Sequence, residues 1–224
     1  GWDNSRDGIR NTFGLQAITM TWQYAESNPF CSSSGCISNM LDWVVKCVAN
    51  FPAISRGNSR QFDAQSDNGL REIMISTDPP YYDNIEYADL SDFFYVWMRQ
   101  MLKNTYPTLF RTMLVPKTEE LVATPYRFGG STEKARNFFE DGMFNTCCRL
   151  YQYAREDIPV TIYYAFKQSE TDEMDSTAST GWETMLSAII RAGFAITGTW
   201  PIRTEMVNRG GAQGTNSLAS SIVL

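Results

Sequence analysis

Apolar positions along this chain follow two different periods, and the switches between them mark the elements. Ile37, Met40, Leu41, Val44, Val45 and Val48 keep the i, i+3, i+4, i+7, i+8 spacing of one helical face, behind a Ser32-Ser33-Ser34 stretch able to cap it. Leu90, Phe93, Phe94, Trp97 and Met101 form a second stripe, and Ala135, Phe138, Phe139, Met143, Cys147 and Leu150 a third; both read as core-facing helices. Trp182, Met185, Leu186, Ile189 and Ile190 predict a shorter helix stopped by Gly193. Between these lie strand patterns: Gly57 to Phe62 leading into Asp63, and Glu72 to Thr77 ending at Asp78-Pro79-Pro80, where proline forbids further pairing. Val160 to Phe166, rich in β-branched and aromatic residues, reads as a buried strand, followed by Phe194 to Thr199 and Leu218 to Leu224.

Strands alternating with helices predict an α/β fold with a mainly parallel sheet and helices on its faces. The last two strands are joined by Thr204 to Ser217, a Gly- and Asn-rich stretch with no helical pattern, so they are expected to pair antiparallel. Gln168 to Thr180 is Ser-, Thr-, Asp- and Glu-rich and reads as a mobile polar loop. One domain spanning 1–224 is expected, with a helical insert around 107–155. The chain stops within a strand pattern at Ile222-Val223-Leu224 and starts without a capped element, which reads as part of a longer polypeptide.

At 224 residues and 43% hydrophobic, the chain can bury one core. No apolar run approaches the roughly 20 residues of a membrane span, and no charged-then-apolar leader opens it, so a soluble, cytoplasmic protein without a membrane partner is expected. The five cysteines are an odd set, and the adjacent Cys147-Cys148 suits a reducing compartment better than a disulfide framework. Cys31 and Cys36 have the spacing of half a zinc site, but there is no histidine and no second close pair at ligand spacing, so no metal is expected. A formal charge of -6 argues against strong nucleic-acid binding by the isolated chain. Arg99, Lys103, Arg111, Lys117, Arg127, Lys134 and Arg136 form either a basic strip or a set of solvated helix faces.

The residues that carry chemistry are Asp78-Pro79-Pro80-Tyr81, directly after a strand and therefore at the carboxyl edge of the sheet, where open α/β folds bind ligands. An exocyclic ring amine is a poor nucleophile because its lone pair is delocalised. The Asp78 carboxylate and the Pro79 carbonyl can each accept one of its hydrogens and direct that lone pair at an electrophile. Pro79 and Pro80 fix the backbone that aims the carbonyl, and Tyr81 can stack on a base rotated out of a duplex. The plainer alternative is that two prolines end a strand and the aromatic packs locally. Tyr82, Asp83, Asn84 and Tyr87 extend the site with polar and aromatic groups. Phe62-Asp63-Ala64 is a second candidate, since an acidic side chain after a strand can accept from the amine of a bound nucleotide; an Asp there serves equally to form a turn. Pro107 to Gly130 is either a DNA-contacting segment or a packing insert.

Asp78-Pro79-Pro80-Tyr81 resembles the signature of amino-methylating DNA methyltransferases, its Asp form pointing to adenine. Ser76 to Asn84 with Tyr87 to Phe94, Tyr164 to Glu170, Gly181 to Met185 and Trp200 to Glu205 are similar to large adenine-specific DNA methylases that carry a zinc-ribbon module. The resemblance runs from about Arg10 to Leu224. It implies a Rossmann-like methyltransferase sheet, mostly parallel with an antiparallel last strand and incomplete on its N-terminal side. It further implies S-adenosylmethionine as cofactor, held in part by Asp63 and Ala64, and transfer of its methyl to the 6-amino group of adenine in DNA. Asp78, Pro79, Pro80 and Tyr81 are then catalytic, and Tyr82, Asn84, Tyr87 and Lys167 contact the substrate. The Phe-x-Gly-x-Gly-type cofactor loop of such enzymes has no counterpart here; Phe128-Gly129-Gly130 and Gly210-Gly211 lack its spacing and its preceding strand. An upstream segment or a partner chain is expected to supply it. Two other functions compete: a catalytically silent remnant that binds nucleic acid or protein, and an RNA methyltransferase.

Overall fold

A computed structural model of the chain describes residues 2–3, 8–9, 28–32, 36–83, 85–167, 177–202 and 218–223. They belong to two compact units, residues 1–60 and 61–224, where the sequence reading expects one domain. In the first unit, β1 (Trp2–Asp3) and β2 (Gly8–Ile9) pair antiparallel. Helix α1 (Ile37–Asn50) follows the predicted periodicity, but its cap is Cys36, whose Sγ accepts from the Asn39 N–H at 3.4 Å, in place of the expected serine stretch. No α1 residue is buried, and Leu41, Val44, Val45 and Val48 are exposed.

The second unit is built on a four-stranded mixed sheet of β3 (Ser76–Thr77), β4 (Thr161–Lys167), β5 (Trp200–Ile202) and β6 (Leu218–Val223), in the spatial order β3-β4-β6-β5. β3 runs parallel to β4, with Ser76 beside Thr161. β6 runs antiparallel to both of its neighbours, so the expected antiparallel pairing of the last two strands is present. The ladder on β3 begins earlier than the strand itself: Ile73 bridges Ala154, and the Thr161 N–H donates to the Ile75 carbonyl at 3.1 Å. Two expected strands are displaced or absent. Gly57 to Phe62 is irregular backbone, a polar run with one apolar residue, and among the described residues no strand pairs with it. Phe194 to Thr199 is irregular too, and pairing starts only at Trp200.

The reason for that delay is the end of α4 (Thr177–Arg191), which takes in residues 177–180 of the expected polar loop. Gly193, at φ 108°, donates its N–H to the Ile190 carbonyl, and the Phe194 N–H donates to that of Ile189, a double closure of the last turn. The Phe194 ring then packs edge-on against Tyr151, which holds the chain leaving α4 before it reaches the sheet.

Helix α3 (Thr132–Tyr153) faces the core as its stripe predicts. Phe139, Met143 and Cys147 are essentially inaccessible and join Ile162, Tyr164, Met185, Ala188 and Ile189 in one cluster. Burial pushes the Cys147 thiol up to about 12. Helix α2 (Tyr87–Leu102) corrects the sequence reading: Ala88 is its one buried residue, while Phe93, Phe94, Trp97 and Met101 are exposed. An apolar stripe reports that a helix is amphipathic, not what covers it. Among the described residues, no helix is long and apolar enough to cross a membrane.

Candidate active site

The carboxyl end of β3 opens into a cleft of about 730 Å³. Three stretches of chain form its walls. Asp78, Pro79 and Pro80 supply the floor after the strand, Asp63, Ala64 and Phe62 one side, and Val115, Pro116 and the run Glu119 to Leu121 another. Tyr87 and Ala88, at the start of α2, close the remaining edge, with Met143 and Thr146 of α3 beneath. The two motifs singled out in the sequence therefore line one cavity, although the first does not follow a strand.

The wall at 115–121 holds its shape through polar contacts with α2. The Glu120 carboxylate accepts from the Ala88 N–H at 3.0 Å and from Arg127 at 2.8 Å, and Arg127 also binds Asp89 at 2.6 Å. Asp92 accepts from the Val115 N–H at 2.9 Å and pairs with Lys117 at 2.7 Å. The Thr124 hydroxyl donates to Glu86 at 2.9 Å. Partial burial raises the Asp89 carboxyl, but hydrogen bonds from Tyr126 and Arg127 outweigh it and hold the group below the usual carboxylate range. Gly142 completes the fit: a β-carbon there would collide with the Leu121 side chain, so its lack of one lets the wall lie against α3. Pro107 to Gly130 thus lines the cleft through Arg111 and residues of 115–121, with irregular backbone over 111–124; the helix within the expected 107–155 insert is Thr132–Tyr153.

The motif itself is tightly placed. The Tyr81 hydroxyl donates to Asp78 Oδ1 at 2.5 Å, and its ring meets Tyr164 edge-on at 5.6 Å. Burial first, and then the Asp78 carboxylate, push the Tyr81 phenol well above its ordinary range, so it stays protonated and remains a donor. Tyr82 adopts φ 52°, a conformation unusual for a bulky side chain. It is held there by its carbonyl, which accepts from the Ala123 N–H at 3.0 Å, and by its ring, which packs edge-on against Phe139 in the core. The aromatic side chains lining the cleft are instead Tyr87, 52% exposed, and Phe62.

Asp63 forms a turn: its Oδ1 accepts from the Gln65 N–H at 3.0 Å and its Oδ2 from the Ser66 hydroxyl at 3.1 Å. Each oxygen keeps a lone pair beyond those bonds, so the residue can still accept from an adenosyl amine, and Ala64 beside it presents little bulk. The fit to S-adenosylmethionine is thus confined to its adenosyl end. Asn84 lies outside the described residues. Lys167 ends β4 at the same sheet edge as Asp78, since β3 and β4 are parallel; its side chain lies outside the description.

No family model, curated protein or solved structure matches the chain. The cleft must therefore be read from its own chemistry. Its lining offers the carboxylates of Asp63, Asp78, Glu119 and Glu120, the Pro79-Pro80 pair after β3 and the exposed Tyr87 ring. Among the described residues, no group of three acidic, cysteine or histidine side chains is arranged to hold a metal ion. The sequence reading named Tyr87 to Phe94 and Pro107 to Gly130 only as stretches and did not single out Ser91, Glu119, Glu120 and Leu121, which line the cleft.

Proposed function

We propose that this chain carries the base-holding part of an adenine-specific DNA methyltransferase with a Rossmann-like sheet. The observation that supports it best is that Asp78, Pro79 and Pro80 line a cleft at the carboxyl end of a parallel strand together with Asp63 and Tyr87. The antiparallel β6 between β4 and β5 agrees with the sheet such enzymes have.

In this reading the adenine 6-amino group donates to Asp78 and to the Pro79 carbonyl, which localises its lone pair on nitrogen. The Tyr81 hydroxyl on Oδ1 fixes the carboxylate plane and leaves Oδ2 for the amine. Tyr87 supplies a stacking face for the base. Asp63 and Ala64 would hold the adenosyl end of S-adenosylmethionine, which when bound supplies the electrophilic methyl group.

The test is Asp78→Ala in a methyl-transfer assay with tritiated S-adenosylmethionine and adenine-containing DNA. Removing the acceptor is expected to lower transfer by about 10²-fold or more, the scale of losing one preorganised polar group at a reacting centre. Undiminished transfer would reject the assignment. One observation favours a second reading, a catalytically silent module binding nucleic acid or protein: both Asp63 oxygens already accept bonds within a local turn. Calorimetry with S-adenosylmethionine separates the two, because micromolar binding contradicts the silent module.

A further inference from the structure

The basic side chains between 99 and 136 look alike in sequence, and their partners separate them. Lys117 pairs with Asp92, Arg127 with Asp89 and Glu120, and Arg136 with Glu140. Arg99 donates its Nε to the Phe110 carbonyl at 3.2 Å. These groups hold the fold, and their charge is largely spent inside it. Arg111 differs. It is exposed and, like those of Lys103 and Lys134, its side chain makes no hydrogen bond or ion pair among the described residues, but unlike those two it lines the cleft. It is also the one cation in a lining that otherwise carries the carboxylates of Asp63, Asp78, Glu119 and Glu120.

A guanidinium that stays unpaired with carboxylates in the same cleft is available for an external oxyanion, and its planar fork suits phosphate oxygens. The same cleft exposes Tyr87, a flat ring on which a base can stack. An aromatic platform and an unspent arginine in one cleft are the pairing that recognises a single nucleic-acid strand, base on ring and phosphodiester on cation. We propose that Arg111 binds the phosphodiester adjoining the base held in this cleft, so that the ligand is a single-stranded or locally unpaired polynucleotide rather than a free nucleoside or mononucleotide. The inference rests on the base-holding reading of Asp78 for which base is held, but not for the phosphate contact.

Fluorescence anisotropy of a short fluorescein-labelled single-stranded oligodeoxynucleotide, titrated with the full chain over a series of salt concentrations, tests it. Arg111→Gln is expected to weaken binding several-fold and to lower the slope of log affinity against log salt by ~0.7, the value for one phosphate contact on a single strand. Arg111→Lys keeps the charge and should keep the slope. Tyr87→Ala should weaken binding about tenfold or more with the slope unchanged, because stacking releases no counterions. Arg111 makes no internal bond, so loss of fold is not expected to obscure the result, and circular dichroism of each variant verifies this.

An Arg111→Gln protein with wild-type affinity and slope overturns the proposal. So does a wild-type chain that fails to bind the oligonucleotide at low salt, or one that binds adenosine 5′-monophosphate as tightly. Asp78→Ala keeps the two claims apart: it should lower methyl transfer by about 10²-fold or more yet leave the salt slope of oligonucleotide binding intact. If the Arg111 effect appears while transfer proves independent of Asp78, the methyltransferase reading fails and the phosphate contact stands.

Discussion

At the scale of single residues, Tyr81 and Tyr82 show how far a motif can be read before its environment is known. Their sequence suggests two neighbouring aromatics facing a ligand, yet Tyr82 turns into the core and Tyr81 directs its hydroxyl to Asp78. Asp78, Pro79 and Pro80 were legible because proline restricts the backbone locally, whatever surrounds it. The direction of an aromatic ring depends on partners far along the chain, here Phe139 and Tyr164. The raised ionisation of Tyr81 gives a direct check. In a spectrophotometric alkaline titration, Tyr81→Phe should delete one of the last phenols to ionise and leave the early part of the curve unchanged. Loss of amplitude in the ordinary tyrosine range would show that the Tyr81–Asp78 bond is not formed in solution.

At the scale of elements, helices were more legible than strands. A periodic stripe of fourteen to twenty-two residues is redundant, and α1 and α3 tolerate ambiguity at several positions. β3 and β5 have two and three residues, so their limits depend on which neighbour they meet rather than on their own pattern. The irregular wall of the cleft was the least legible part, because it is held by side-chain bonds to α2 that leave no periodicity. Those bonds predict a pH dependence. Asp89 has a folded pKa below its unfolded value, so it contributes stability that is present above the ordinary carboxylate range and lost as pH falls through the folded value. Urea midpoints of the wild-type chain should therefore decline on acidification. Asp89→Asn is expected to start lower at neutral pH and to decline less. Parallel curves for the two proteins would mean that the Asp89–Arg127 pair contributes nothing to the fold.

At the scale of the whole molecule, the core and the candidate site both belong to residues 61–224, and the boundary at Arg60 lies within a stretch that was read as a strand. That error has a physical origin: extended backbone without a sheet partner looks the same, in sequence, as an edge strand. An irregular, exposed stretch of this kind is also what a protease requires, since the chain must adapt to enter a protease cleft. Residues 52–62 are irregular and exposed throughout. Three other arginines are tied to the fold: Arg127 bridges Asp89 and Glu120, Arg149 donates to the Gln65 carbonyl at 3.0 Å, and Arg155 pairs with Asp157 at 2.7 Å. Brief trypsin treatment should accordingly cut after Arg56 before it cuts after Arg127, Arg149 or Arg155, and mass spectrometry should find a new N-terminus at Gly57. First cleavage after Lys117 or Arg127 would show instead that the cleft wall opens more readily than the boundary between the units.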